Sequence, residues 1–159
     1  MTEKARTLDS ISTGDELPEL AYDVSASTVI LGALATRDWR PMHHDVDFAV
    51  NRNGTKDIFM NTPNQAAWFE RYLTDWTGPK GRLGRIKFRM KDSVFPGDRM
   101  FFRGKVTDVG TDDAGCGWVG LAVSLTVDDR PMTECTARMA VPTNEGDNPW
   151  KRKGEDWKP

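Results

Sequence analysis

The chain has 159 residues, 38% of them hydrophobic, and a formal net charge of −2, which is the size and balance of one domain. Its 22 Lys and Arg side chains against 24 Asp and Glu argue against general nucleic-acid binding, which draws on a strongly basic surface. No run approaches the ~20 apolar residues that cross a bilayer, and the polar start lacks the apolar segment of a secretory signal. Cys116 and Cys135 fall in separate expected strands. The reading is a soluble, cytoplasmic protein with reduced thiols.

Residues 1–16 are polar and read as a flexible leader, and the domain proper is expected over 17–142. Leu20 to Ser25 is a short strand candidate. Ser27 precedes TVILGALA as the N-cap of a short buried helix. A polar loop, TRDWRPMHHD, follows, and VDFAV forms one or two helical turns ended by Asn53-Gly54. The strongest local signal is TPNQAAWFERYLTDWTG. Thr62 and Gln65 have capping-box spacing and Pro63 falls at the first helical position. Trp68, Phe69, Tyr72, Leu73 and Trp76 recur at helical spacing, and Gly78-Pro79 stops the run. Beyond it the chain reads as strand. In residues 84–91, Ile86, Phe88 and Met90 alternate with Arg85, Lys87, Arg89 and Lys91. After the turn FPGD come MFFRGKVTDV and WVGLAVSLTV, and MTECTARMAV returns through Asp128-Asp129-Arg130-Pro131. Helices first and antiparallel strands afterwards is α+β, with a sheet wrapped round one long helix. Residues 143–159 are almost free of aliphatic side chains and read as a polar, mobile tail, Trp150 and Trp157 excepted.

The two histidines, His43 and His44, both lie between Asp38 and Asp45. Three readings stay open on residue types alone. One His and Asp38 can converge on a bound water for acid–base work. His43, His44 and Asp45 or Asp38 can hold a metal, although adjacent side chains in extended backbone point apart. The imidazoles can also simply cap backbone groups. No GxSxG elbow and no Gly-rich phosphate loop is present. The basic row Arg85, Lys87, Arg89 and Lys91, with Lys80 and Arg82 before it, can attract phosphates; a solvated strand face is the simpler account.

Asp38-x-x-Pro41-x-His43-x-Asp45 resembles the D-x-N-P-x-H-x-D motif of MaoC-like (R)-specific enoyl-CoA hydratases. FRMKDSVFPGDRMFFRGKVTDV resembles that family's strand–PGD–strand segment, and the resemblance spans about residues 17–142. Three blocks, ALATRDWRPMHHDVDFAV, TKDIFMN and RYLTDWTGP, are similar to the small hydratase subunit of actinobacterial steroid side-chain degradation. The resemblance implies a single hotdog fold, with Asp38 and His43 as the catalytic pair. It places Arg40 where the motif has Asn, and His44 at a variable position. Met60-Asn61 stands where the family has His-Gly, so the backbone N–H of Asn61 is the expected oxyanion donor. The implied activity is hydration of a 2-enoyl-CoA thioester with a bulky steroid acyl group. Coenzyme A then enters only as part of the substrate, with no cofactor and no metal. The implied partner is a larger MaoC-like subunit, otherwise a second copy of the chain. Two other functions fit a hotdog chain. One is an acyl-CoA thioesterase using Glu70 or Asp75 on the central helix. The other is a non-catalytic subunit shaping a partner's acyl tunnel. The intact Asp38–His43 loop disfavours both.

Overall fold

A computed structural model describes residues 5–159, so residues 1–4 of the expected leader lie outside the described residues. In chain order come strand β1 (Glu16–Asp23), helix α1 (Ala26–Ala35) and helix α2 (Val46–Asn51). The long helix α3 (Thr62–Thr77) follows, and then strands β2 (Arg82–Met90), β3 (Arg99–Thr111), β4 (Gly117–Val127) and β5 (Arg130–Val141). All five strands form one antiparallel sheet in the order β1-β3-β4-β5-β2. Alternation along β4 buries Val119, Leu121, Val123 and Leu125 in the same apolar core as Phe69 and Leu73 of α3, both fully buried. Phe69 meets Phe102 of β3 edge-to-face at 5.1 Å, a favoured aromatic geometry. This is the α+β arrangement expected from the sequence and the hotdog fold that the resemblance implies. No described helix is long and apolar enough to cross a membrane.

Several boundaries differ from expectation for identifiable reasons. β1 begins at Glu16, inside the expected leader, because β3 is long enough to pair Glu16 with Lys105. Its register breaks between Leu17 and Leu20, where Pro18 has no N–H to give the ladder. The N-cap of α1 is Ser25 and not Ser27. Ser25 Oγ accepts from the Thr28 N–H at 3.1 Å while Thr28 Oγ1 accepts from the Ser25 N–H at 3.2 Å, a reciprocal capping box. The N-cap of α3 is Asn61 and not Thr62: Asn61 Oδ1 accepts from the Asn64 N–H at 3.3 Å. Gln65 is thereby released from capping and turns inward, where Thr133 Oγ1 donates to its Oε1 at 2.8 Å. Of the aromatic stripe, Phe69, Tyr72 and Leu73 are buried, while Trp68 and Trp76 stay half-buried at its margins.

Both ends of the chain make contacts that composition did not foresee. The Arg6 Nε–H donates to the Trp76 carbonyl at 2.9 Å, and Ile11 is buried. Trp157 packs on Trp118 with ring centroids 5.1 Å apart, and the Arg82 guanidinium lies 3.6 Å from its ring centre. Arg82 Nη1 also donates to the carbonyls of Pro149 and Arg152, and Trp150 Nε1 donates to that of Gly81. Arginine–aromatic stacking and backbone capture anchor residues 143–159, which needs no aliphatic core.

Candidate active site

The loop after α1 is shaped by one left-handed residue. Thr36 closes the helix, Arg37 takes φ +56°, and the Asp38 N–H then returns to the Ala33 carbonyl at 2.9 Å. That reversal sets the Asp38 carboxylate beside the start of α3. Pro41 opens a short 3-10 turn, Pro41–His43, which carries His43 into the interior with 2% exposure. Gly32 permits the approach of the two helices: a Cβ there would stand 1.9 Å from Asn64 Nδ2, which itself donates to the Thr28 carbonyl.

His43, Asp38 and Asn61 converge. His43 Nδ1 bonds the Phe59 carbonyl at 2.8 Å, and its ring meets Phe59 edge-on. A carbonyl only accepts, so Nδ1 carries a proton, and in the neutral imidazole Nε2 keeps its lone pair. Among the described residues Nε2 has no hydrogen-bond partner, and it lies 3.5 Å from Asp38 Oδ2. Arg40 grips the same carboxylate at two points, Nε to Oδ1 at 2.8 Å and Nη2 to Oδ2 at 2.6 Å. Asn61 Nδ2 donates to Oδ2 at 3.0 Å and to Thr36 Oγ1 at 2.9 Å. The Arg40 hydrogen bonds hold the Asp38 carboxyl well below the usual carboxylate range; partial burial opposes this, and the Asn61 bond assists. Among the described residues the backbone N–H of Asn61, a residue 1% exposed, donates to no backbone carbonyl. It stands at the positive end of the α3 dipole.

The remaining candidates do not join this group. His44 is exposed, and Asp45 is the N-cap of α2, accepting from the Phe48 N–H. Among the described residues no three His, Cys, Asp or Glu side chains gather as metal ligands. Glu70 is exposed, and Asp75 is exposed and paired with Arg71, so neither carboxylate faces an enclosed site. Within the basic row, Arg85 donates to the Pro159 carbonyl, Lys91 pairs with Glu134, and Arg82 serves the terminal segment. A depression of about 910 Å³ on the outer face of the sheet runs past Lys87, Arg89, Arg103 and Lys105. It contains none of Asp38, His43 and Asn61, and the chemistry of those three outweighs its size. Sequence reasoning missed the side-chain role of Asn61, the Arg40 grip and the Phe59 carbonyl. Arg40, two residues from Asp38, was the one partner that spacing could have flagged.

No protein-family model matches the chain. It is similar to the 3-oxo-4,17-pregnadiene-20-carboxyl-CoA hydratase beta subunit of Mycobacterium tuberculosis, with 40% identity over 96 residues, 60% of this chain and 74% of that protein. Among solved structures, a chain of the ChsH1-ChsH2 complex from Mycobacterium tuberculosis superposes with a TM-score of 0.74 at 31% identity. That match covers 82% of this chain and 98% of the other. The MaoC-like dehydratase from Rhodospirillum rubrum shares the fold, with a TM-score of 0.75 at 16% identity over 88% of this chain and 99% of its own.

Proposed function

The chain belongs to the MaoC-like hydratase family, and on that premise we propose that it hydrates the double bond of a 2-enoyl-CoA thioester. The observation that carries the reading is the buried, unpartnered His43 Nε2 facing the Asp38 carboxylate. A lone pair in that position takes a proton from water as the water oxygen bonds to C3. The π electrons move to the thioester oxygen, where the Asn61 N–H at the start of α3 supplies a donor. A proton delivered to C2 completes the addition. Coenzyme A takes part only as the carrier of the acyl group, and the steps call on no metal or further cofactor.

Two relatives support a reading of the substrate class and assembly. One is a hydratase subunit for a steroid carboxyl-CoA and the other belongs to a two-protein complex. We assign this chain a bulky steroid side-chain acyl-CoA and a heteromer with a larger MaoC-like subunit. Trp39, 66% exposed between Asp38 and Arg40, supports an apolar cover over the site. The unpaired edges of β1 and β2 offer backbone for a second chain. Turnover of CoA thioesters suits a cytoplasmic protein.

The test is to co-express the chain with its larger subunit and follow loss of enoyl-thioester absorbance with steroid and short-chain enoyl-CoAs. Hydration of the steroid substrate, abolished by His43→Ala, is the expected result. A complex that keeps full activity with His43→Ala would show that this chain shapes a partner's site and does no chemistry.

A further inference from the structure

We propose that Arg40 is a positioning residue of this site: its two-point grip fixes Asp38 and confines that carboxylate to orienting the reacting water, so that His43 alone moves protons. The inference rests on the hydratase reading and makes a choice within it, because an Asp beside a His can either orient water or deliver the proton to C2.

The hydrogen bonds decide between these roles. Asp38 receives Arg40 Nε and the Arg40 backbone N–H on Oδ1, and Arg40 Nη2 and Asn61 Nδ2 on Oδ2, at 2.6–3.4 Å. Three short donors and one long contact at 3.4 Å bear on one ionised carboxylate, which leaves Oδ1 a lone pair to receive the O–H of water. A proton placed on the carboxylate would cancel the charge on which the fork, the strong geometry for an arginine and a carboxylate, depends. The charged group that bears on the resting Asp38 is Arg40; the His43 ring stands 3.5 Å away, where the imidazolium formed during the reaction also favours the anion. Asp45 of the same loop is occupied in capping α2. A carboxylate held in this way does not give up a proton at neutral pH, because it does not carry one.

The step then balances on His43. A water O–H bond breaks toward Nε2 as the water oxygen bonds to C3, and the C2–C3 π pair shifts onto the thioester oxygen. The imidazolium returns that same proton to C2 as the enolate pair closes back. One water is added and His43 ends neutral, as it began. Asp38 stays an anion throughout and offsets the charge of the imidazolium beside it. Arg40 stands where the hydratase motif has Asn, and Asn61, from the start of α3, supplies an amide donor to the carboxylate instead.

Arg40 is 61% exposed, so its removal opens no cavity and the variants should fold. The native complex is compared with Arg40→Asn and Arg40→Lys by the pH profile of kcat/KM and by the ¹³C shift of the Asp38 carboxyl against pH. The native carboxyl signal should stay flat through the ordinary carboxylate value of 3.8. Arg40→Asn should show an inflection at or above that value, a second ionisation on the acid limb, and kcat lower by about 10²-fold with KM little changed. Arg40→Lys should keep the flat signal yet lose kcat, since an ammonium supplies charge without the fork. A flat signal and native kcat in Arg40→Asn would overturn the proposal. So would an effect confined to KM, which would make Arg40 a substrate-binding residue. A native complex that hydrates no enoyl thioester would remove the role together with the functional reading, while the carboxyl titration reports the grip by itself and tells the two failures apart.

Discussion

His43 takes its tautomer from the Phe59 carbonyl, sixteen residues further along the chain. That one bond determines which nitrogen is free to act, and Asp38 stands next to it. His43→Ala and Asp38→Asn are each expected to lower kcat by about 10²–10⁴-fold. The double variant should lose little more than either single one, because the two groups serve one water. His44→Ala should be near native. Steady-state kinetics on the four variants checks this, and equal losses at His43 and His44 would contradict the assignment. Asp38 also links the fold to pH. Its folded value lies below the ordinary 3.8, so its ionised form stabilises the fold above that pH, and the contribution is lost as pH falls through the lower folded value. The gap in Tm between the native protein and Asp38→Asn should therefore be widest near pH ~7 and narrower near pH ~3. Calorimetry at the two pH values measures it; a gap that widens in acid would reverse the sign argued here.

At the scale of the elements, α3 and the loop after α1 are tied through one amide. Asn61 caps α3 with its Oδ1 and supports Asp38 with its Nδ2, so a single side chain serves helix stability and site geometry together. Asn61→Ala is expected to cost about 0.5–2 kcal/mol through the cap alone and to lower kcat as well. Thr62→Ala should leave both nearly unchanged, because Thr62 is the first residue of the helix and caps nothing. Thermal melts and initial rates on the two variants separate these roles. A loss at Thr62 matching that at Asn61 would return the cap to the hydroxyl.

In the whole molecule the sheet is covered on its inner face by α3 and, at one end of its outer face, by the terminal segment. Trp118, Cys116 and Ala140 form a second apolar cluster there, closed by Trp157. Trp157→Ala removes an aromatic pair and a cation–π contact, together worth about 1–3 kcal/mol. Its urea midpoint should fall while His43 and Asp38 keep their geometry and the complex keeps its kcat. An unchanged midpoint would mean that the segment rests on the sheet without stabilising it.

The α+β order, the long α3, the alternating faces of the strands and the loop holding Asp38 and His43 were all legible in the sequence. Those features follow from period, turn residues and short spacings, which act between neighbours in the chain. The choice of Asn61 over Thr62 as cap was not legible, because both residues cap well and the decision came from packing: Gln65 is needed against Thr133 of β5. The meeting of Asn61 with Asp38 depends on how closely Gly32 lets α1 approach Asn64 of α3, and the tautomer of His43 on a backbone carbonyl that carries no side-chain signature. Composition likewise said nothing of where Trp157 docks. The sequence by itself determined which chemical groups the chain carries and which short segments present them. Only the tertiary structure decided that Asn61 joins Arg40 on the Asp38 carboxylate and that the Phe59 carbonyl orients His43, because hydrogen bonds between residues 23 and 16 positions apart exist only once α1, α3 and the loops between them have closed on one another.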